Sequence, residues 1–320
     1  MIQAVTHTLD DYGMRKGAEE FPLMVVLSFV YLCNARCPNC PYNNSAIRGQ
    51  YKDALFMSEE IFVRIADECA RFNSYLRLSG GGEPMLHPNA VALMLYAKRK
   101  GARIGLITNG SAFSEESLES LIAAGVDNLE FSVDAGDGET YRMVRPGLDW
   151  GRLNRNVRLA MALRNRLKSG TRIIASIISQ QGVDVRAAER HWNRIVDKVQ
   201  IRKFLTWGYN KDRSSDPTPY LPPEQRVPCP WLFERLNVDS RGDVTLCGED
   251  IAFREKFANI IDRSIKDIWQ GPEFADLRAR HLRGEGHTIP ICSQCPDWQY
   301  RSWKYNYWKV IEDAERQKRR

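Results

Sequence analysis

The chain lacks any uncharged apolar run of the ~18 residues that a membrane-spanning helix needs. Its longest apolar run is PLMVVLSFVYLC, at residues 22–33. This run is too short to cross a bilayer, and it has neither the basic n-region nor the cleavage site of a signal peptide. Internal repeats and low-complexity stretches are also absent. We therefore expect no membrane partner, a cytoplasmic location, and a buried strand within residues 22–33.

A strong excess of charge of one sign is absent too. The 320 residues include 46 Lys+Arg and 40 Asp+Glu, for a net charge of +6. Several of the cations end the chain (Arg316, Lys318, Arg319 and Arg320), which is typical of a solvated helix end. No nucleic-acid-binding motif accompanies this charge, so we expect no nucleic-acid partner. The apolar fraction of 43% and charged fraction of 27% are those of a globular protein.

Short apolar runs alternate with helical patterns between residues 24 and 206. The predicted strands lie at residues 24–32, 75–79, 103–107, 128–133, 171–178 and 200–205. The predicted helices lie near residues 58–73, 88–100, 114–124, 150–168 and 184–198, with Ser114 as an N-cap and Gly125 as a C-terminal stop. Six βα repeats indicate an α/β fold with a parallel sheet, which could be an open sheet or a partial barrel.

The composition changes after this region and predicts a division into segments. Residues 210–228 carry five prolines and no helical period, as expected of a linker. We predict an N-terminal extension at 1–23, a core domain at 24–209, the linker at 210–228, a small C-terminal domain at 229–297 and a helical tail at 298–320. The tail is rich in aromatic and basic residues, a pattern that favours packing of a terminal helix.

Seven of the eight cysteines form two sets. Cys33, Cys37 and Cys40 have the spacing C-x3-C-x2-C directly after the first predicted strand. The second set consists of Cys229, Cys247, Cys292 and Cys295. Under reducing conditions, spaced cysteines favour metal binding over disulfides. Three thiolates leave one iron of a [4Fe–4S] cluster without a protein ligand, whereas four close the cluster. Zinc is the alternative for either set.

Further motifs follow the next three strands. Gly81-Gly82-Glu83-Pro84 follows the second strand, Thr108-Asn109-Gly110 the third, and Ser132-Val133-Asp134 the fourth. Together with C-x3-C-x2-C they resemble the radical S-adenosylmethionine (SAM) superfamily over residues 24–206. The resemblance implies a partial (β/α)6 TIM-type barrel and a cluster whose open iron binds SAM. It also implies reductive cleavage of SAM to a 5′-deoxyadenosyl radical, with flavodoxin or ferredoxin as the kind of electron donor.

The same resemblance implies roles for individual residues. It places Gly81, Gly82 and Glu83 at the amino group of SAM and Ser132 at its ribose or carboxylate. It also places Asn109 among the residues that bind SAM. Arg145 resembles the arginine that pairs with the SAM carboxylate, a task that suits a guanidinium fork. The family has an aromatic residue where this chain has Asn39, so Tyr42 is the candidate for packing against adenine.

The second cysteine set resembles the shortened auxiliary-cluster domain called twitch, a relative of the SPASM domain, which carries seven cysteines. Four thiolates saturate one [4Fe–4S] cluster, so the resemblance implies one auxiliary cluster. A structural zinc remains the alternative, because four cysteines with a C-x2-C pair suit zinc equally well. Glu249 and Asp250 follow Cys247 directly, and they are the candidates for orienting substrate or acting as a base.

The remaining cysteine bears on the reaction. Cys69 lies on the apolar face of a predicted helix, which indicates a packing residue rather than a hydrogen donor. This favours oxidation of a carbinol in a small-molecule substrate, a sugar or aminocyclitol, as in the dehydrogenases with this cluster arrangement. A radical SAM epimerase or a peptide-modifying enzyme is the alternative. About twenty residues precede the first strand, fewer than a leader-peptide-binding domain needs, which weighs against a peptide. A non-catalytic zinc-binding protein is the remote alternative.

Overall fold

The computed structural model describes residues 12–43, 45–207, 221–222, 225–301 and 303, and it describes Ala46 without its side chain. Most of the predicted linker and tail therefore lie outside the described residues, as do residues 1–11 of the predicted N-terminal extension. In the part of the chain that is described, no helix is long and apolar enough to cross a membrane.

One nine-stranded sheet organises the described chain, in the order β6-β5-β4-β3-β2-β1-β7-β8-β9. Strands β1 to β6 are parallel, β7 pairs with β1 in parallel, and β8 and β9 are antiparallel. The six parallel strands with their helices confirm the predicted partial barrel. The strands are β1 Met24–Leu27, β2 Tyr75–Leu78, β3 Arg103–Thr108, β4 Asn128–Ser132, β5 Arg172–Ser179, β6 Lys198–Lys203, β7 Arg235–Val238, β8 Asp243–Thr245 and β9 Lys256–Asn259.

Ten α-helices accompany the sheet in the described part of the chain. They are α1 Ser45–Gln50, α2 Glu59–Arg71, α3 Ala90–Arg99, α4 Glu115–Ala123, α5 Gly138–Val144, α6 Trp150–Arg166, α7 Val185–Trp192, α8 Ile265–Gln270, α9 Pro272–Leu282 and α10 Pro290–Ser293. The N-cap predicted at Ser114 forms a capping box with Ser117, and Gly125 ends the turn after α4 with φ +70°. Helices α1 and α5 escaped sequence analysis because they are too short to show a helical period.

The first strand is shorter than predicted. The strand is predicted at residues 24–32, but β1 ends at Leu27. Beyond it the chain remains buried at Phe29 and Val30 while its backbone pairs elsewhere, with isolated bridges from Val30 to Phe56 and to Gly81. The apolar residues therefore continue past the strand because the segment leading to Cys33 is itself part of the core.

The strands of the barrel have two different faces. One face is apolar and packs against the helices, with members such as Leu76, Leu129 and Ile173 in the main core. The other face lines the inside of the barrel and is largely polar. On it the Asn128 amide donates to the Tyr75 hydroxyl at 2.7 Å. The inward residues that concern the site are Arg77, Glu130, Ser132, Ser176 and Arg202. A polar interior suits a cavity that receives a ligand rather than a packed core.

Helix α2 packs on the outer face with an apolar stripe. Cys69 is fully buried on that stripe with Ile61 and Ile65, which confirms the predicted packing position. Burial raises the pKa of the Cys69 thiol far above its usual range, so the side chain is a neutral apolar group.

The C-terminal segment is joined to the barrel at two places. Strand β7 extends the sheet at β1, with Met24 opposite Arg235. On the other side, the Trp269 indole N–H donates to the carbonyl of Ala18 at 2.6 Å, and Glu68 on α2 accepts from the first N–H of α8 at 3.0 Å. These contacts join the C-terminal segment to β1, to α2 and to the chain before β1.

Candidate functional site

The first cysteine set lies in the loop at residues 33–40, called here the cysteine loop, at the carboxyl edge of the barrel. The Cys40 amide donates to the Cys37 carbonyl at 3.1 Å, and the Ala35 amide donates to Cys33 Sγ at 3.4 Å. Burial raises the pKa of Cys33, and it raises that of Cys40 to about 11, with the charges of neighbouring cysteines adding to the effect. The raised pKa values favour the neutral thiols of Cys33 and Cys40, so a bound metal would be needed to hold these two sulfurs as thiolates.

The glycine loop lies directly beside the segment that leads into the cysteine loop. A Cβ on Gly81 would be 2.1 Å from the Val30 carbonyl oxygen, and one on Gly82 would be 1.9 Å from the Leu32 carbonyl oxygen. The Glu83 amide donates to that Leu32 carbonyl at 2.8 Å. These glycines therefore let two backbone segments of the chain lie close together. This contact fixes the start of the cysteine loop.

We expect Gly82→Ala to destabilise the protein by about 1–3 kcal/mol or more, because the new methyl group overlaps a backbone carbonyl that cannot move away. The measurement is thermal unfolding of the metal-free protein, and iron loading after reconstitution should fall as well. Gly49→Ala is the matched control, since a Cβ there meets nothing within 4 Å. Equal unfolding temperatures for the two variants would contradict this account.

Glu83 connects the second and third strand ends. The side chain is buried, and its carboxylate accepts from the Thr108 hydroxyl at 2.6 Å, the Asn109 amide at 2.6 Å and the Met85 amide at 3.2 Å. Burial raises the pKa of Glu83, and these hydrogen bonds oppose the rise. The carboxylate therefore holds two loops together, in addition to the SAM-binding role that the sequence predicts for it.

Asn34 and Ser111 belong to the same network, and sequence analysis missed both. The Asn109 amide side chain donates to Asn34 Oδ1 at 2.9 Å, and the Asn34 amide side chain donates to the Ser111 hydroxyl at 2.8 Å. Ser111 in turn donates to Asn109 Oδ1, from its amide at 2.9 Å and from its hydroxyl at 2.6 Å. Asn34 lies between the first two cysteines, so this triangle fixes the cysteine loop to the end of β3.

Arg145, which the sequence predicts to pair with the SAM carboxylate, lies beside the cysteine loop, where the Arg36 amide donates to the neighbouring Pro146 carbonyl at 3.0 Å. It pairs with Asp134, with 2.9 Å from Nε to Oδ2, and only 14% of its side chain is exposed. Burial raises the pKa of both Cys33 and Cys40, and the Arg145 charge opposes that rise. Asp134 is itself fixed by the Ile178 amide at 2.8 Å. The guanidinium is thus held in place through Asp134 at the ends of β4 and β5.

The other predicted SAM contacts surround the same loop. Tyr42 lies next to Gly80, with its hydroxyl 3.4 Å from where a Cβ would stand. Asn39 donates from its amide to Gln180 Oε1 at 2.5 Å, which joins the cysteine loop to the end of β5. Ser132 ends β4, half-buried and in register with Ser176. The structure therefore gathers the predicted residues at one end of the barrel.

His87 caps a short turn and bonds to the Met57 carbonyl.

Below this edge, a charged group crosses the inside of the barrel. Arg202 Nε on β6 donates to Glu130 on β4 at 3.0 Å and to the Ser176 hydroxyl on β5 at 2.9 Å. Arg77 on β2 approaches the other oxygen of Glu130 at 3.9 Å. Burial alone would raise the pKa of Glu130, but the two guanidinium groups outweigh it and lower that pKa. The alternation of polar and apolar residues in β4 and β6 was the sequence signal for this group.

The second cysteine set is brought together in the C-terminal segment. All four sulfurs line one cavity, and Trp231, Glu249, Trp298 and Arg301 close it. Cys229 precedes a short helical turn, Cys247 follows β8, and the last two cysteines flank the end of α10. Burial raises the pKa of Cys292 to about 12, and the Arg226 charge opposes the rise. Four sulfur donors that line one cavity, with cations nearby, fit a metal–sulfur site.

The two candidate acids near this site have different surroundings. Glu249 lines the cavity and pairs with Arg301, and burial raises its pKa to about 8. Asp250 points into its own turn instead, where it accepts from the Thr245 hydroxyl at 2.8 Å and the Glu255 amide at 2.8 Å. The structure thus leaves Glu249 beside the cavity and makes Asp250 a residue that shapes the turn.

His281 on α9 contacts two of the cysteines that line this cavity, and sequence analysis did not single it out. Its Nδ1 accepts from the Cys229 amide at 3.3 Å, and its Nε2 lies 3.4 Å from Cys292 Sγ. Burial lowers the pKa of His281 to about 4, and the Arg226 and Arg280 charges lower it further. The imidazole is therefore neutral at physiological pH and touches two of the four cysteines.

Of the predicted aromatic cluster at residues 298–308, the described members pack against the chain. Trp298 is buried, and Trp303 donates from its indole N–H to the Pro228 carbonyl at 2.7 Å and packs against Phe233. Tyr305, Tyr307 and Trp308 lie outside the described residues.

Comparisons with known proteins agree with this geometry. Residues 27–175 match the radical SAM superfamily, and residues 229–296 match the iron–sulfur cluster-binding domain called SPASM. A PqqA peptide cyclase of Xanthomonas campestris pv. campestris is 25% identical over 322 residues, covering 87% of this chain and 81% of that protein. A PqqA peptide cyclase of Xanthomonas axonopodis pv. citri is 26% identical over 318 residues, covering 87% and 82%.

Solved structures share the fold at lower identity. The crystal structure of BtrN in complex with AdoMet and 2-DOIA has a TM-score of 0.56 and 18% identity, and the likeness covers 87% of this chain and 94% of that one. Streptococcus suis SuiB bound to precursor peptide SuiA has a TM-score of 0.64 and 14% identity, covering 81% and 67%. The matches confirm the predicted cofactors, which are SAM, its [4Fe–4S] cluster and an auxiliary cluster.

Proposed function

We propose that the chain modifies a peptide. The premise is that it is a radical SAM enzyme with a C-terminal SPASM domain. The observation that carries the proposal is the similarity to PqqA peptide cyclases along 87% of the chain. The small-molecule substrate expected from the cysteine count then gives way to this alternative. With the cluster and SAM bound, the site supplies a 5′-deoxyadenosyl radical, and the residues of this chain bind and orient what that radical attacks.

The shape and lining of the barrel support a peptide. Within the described residues β6 is the terminal strand of the sheet and pairs with β5 alone. An unclosed barrel with a strand edge beside its interior can accept an extended chain, since a peptide backbone pairs readily with such an edge. Arg202 on that strand, with Glu130 and Arg77, gives the interior groups that can hydrogen-bond polar side chains and backbone amides.

In this proposal the cysteine loop holds the reactive cluster and Arg145 orients the carboxylate of SAM. Hydrogen bonds of Asn34, Glu83 and Asn109 join the cysteine loop to the ends of β2 and β3. They therefore fix the distance between this loop and the barrel interior. The four cysteines of the C-terminal segment hold the auxiliary cluster. Glu249, which is buried beside that cavity and paired with Arg301, is the base that we propose for accepting a substrate proton.

Oxidation of a carbinol remains a second candidate. Its support is the single closed set of four cysteines together with the match to BtrN over 94% of that chain. Both reactions remove two hydrogens from the substrate, and the two candidates differ in the bond that forms. An oxidised alcohol gains a carbonyl, whereas a cross-linked peptide gains a new bond between side chains.

The test is incubation of the reconstituted enzyme with SAM, a reductant and a library of peptides encoded near its gene, followed by mass spectrometry. We expect a peptide that loses two mass units and a matching release of 5′-deoxyadenosine. Deuterium placed on the modified peptide carbon should appear in 5′-deoxyadenosine. Turnover of aminocyclitols or sugars to ketones, with the peptides unmodified, would refute the peptide proposal and favour the second candidate.

Replacing Arg202 tests the interior surface separately. We expect Arg202→Gln to lower product formation about tenfold or more while 5′-deoxyadenosine is still released, because a lost charged hydrogen bond costs about 1.5–3 kcal/mol. The ratio of product to 5′-deoxyadenosine is the quantity to measure. Lys203→Gln is the control on the same strand, since Lys203 is exposed. An unchanged ratio in the Arg202 variant would place the substrate elsewhere.

A further inference from the structure

The contacts of His281 define how its ring is protonated. The Cys229 backbone N–H can only donate, so Nδ1 of His281, 3.3 Å away, must accept and carries no proton. A neutral imidazole then carries its proton on Nε2, which lies 3.4 Å from Cys292 Sγ. A thiolate can only accept. The ring therefore donates an N–H to the sulfur of one cysteine while it holds the backbone of another.

The surroundings hold the ring in this position. His281 is buried near the end of α9, with 2% of its surface exposed. Gly286 packs against its face, and a Cβ at that glycine would stand 3.3–3.5 Å from three ring atoms. Arg226, which approaches the same site, donates to the Cys292 carbonyl instead of the sulfur. Among the described residues, His281 is thus the neutral side chain that donates to Cys292 Sγ.

We propose that His281 is a positioning residue that raises the reduction potential of the auxiliary cluster through its N–H to Cys292. Hydrogen bonds to cluster sulfurs are among the factors that set the potential of an iron–sulfur cluster. Adding an electron makes the thiolates more negative, so a donor stabilises the reduced state more than the oxidised one. A cluster with a raised potential accepts an electron more readily. The inference rests on the auxiliary site and is independent of the substrate.

The experiment uses the full-length chain with Cys33→Ala, Cys37→Ala and Cys40→Ala, so that the auxiliary cluster alone is present. Its midpoint potential is measured by redox titration followed by electron paramagnetic resonance, without SAM or substrate. We expect His281→Leu to shift the one-electron reduction equilibrium tenfold or more towards the oxidised state, which is about 59 mV lower. His281→Gln offers a carbonyl acceptor and an N–H donor, so it should return the midpoint towards that of the unsubstituted protein.

Two controls make the outcome decisive. His287→Leu replaces an exposed histidine nearby and should leave the midpoint unchanged, and iron per chain should be the same in all variants. A midpoint in His281→Leu equal to that of His287→Leu would overturn the proposal. Loss of cluster iron in both the leucine and glutamine variants would also overturn it, because His281 would then be needed to hold the cluster. Failure to modify any peptide would leave the measured potentials unaffected.

Discussion

Replacing Cys33, Cys37 and Cys40 together by alanine abolishes SAM cleavage, with 5′-deoxyadenosine release falling at least about a thousandfold. The structure places the three sulfurs on one loop that is tied to the ends of β2 and β3. With no thiolate left in this loop, the open-iron cluster that binds SAM has no protein ligands. Iron per chain should fall from about eight to about four, since each cubane cluster holds four irons.

Cys69→Ala is the matched control for this experiment. It also replaces a cysteine by alanine, but the thiol is buried on α2 among apolar side chains. We expect it to cost about 1 kcal/mol of stability and to leave iron content and 5′-deoxyadenosine release within about twofold. Anaerobic reconstitution, iron analysis and chromatography of the nucleoside products measure all three quantities. Undiminished cleavage in the triple variant would exclude the cysteine loop as the reactive site.

Much of the fold could be predicted because its signals are local. Five of the predicted helices and all six parallel strands of the barrel appear within a few residues of their expected positions. The predicted start of α4 was based on Ser114, and its predicted end on Gly125. Each of these signals acts through backbone geometry or hydrogen bonds within one turn. A single sequence therefore contains all the information that they need.

The contacts between distant segments could not be predicted in the same way. Nothing in the sequence indicates that β7 pairs with β1, because this pairing joins residues more than two hundred positions apart. The same holds for Asn34, whose amide joins the cysteine loop to Asn109. His281 looks like an ordinary helix residue until α9 packs beside Cys229 and Cys292. Such residues become recognisable only when the fold has brought their partners to them.

The barrel interior lies between these two cases. The strands β4 and β6 alternate apolar and polar residues, and this pattern predicts a sheet with one polar face. It does not say whether that face meets solvent or is buried. The structure decides the matter, because Glu130 is buried and carries ion pairs to strands on either side. The buried polar face is what makes the interior suitable for recognising a polar substrate.

The second large effect is expected from the auxiliary site. We predict that Cys292→Ala lowers the yield of modified product about a hundredfold or more, while 5′-deoxyadenosine release stays within about fivefold. Cys292 lines the four-cysteine cavity, whereas we propose that SAM binds at the cysteine loop at the edge of the barrel. A substrate that has lost a hydrogen atom keeps an odd electron, and a closed cluster supplies an acceptor for it.

Ser293→Ala is the control for that variant, because Ser293 is the exposed neighbour of Cys292 on α10 and its hydroxyl bonds only to the Pro290 carbonyl among the described residues. Iron per chain should fall from about eight to about four in Cys292→Ala alone. Product yield, 5′-deoxyadenosine and iron are measured on the same samples. If both SAM cleavage and product formation disappear, the four cysteines support the fold of the whole enzyme. If both persist without the auxiliary iron, that site has no part in the reaction. Only the separation of the two yields assigns it to the step that follows hydrogen abstraction.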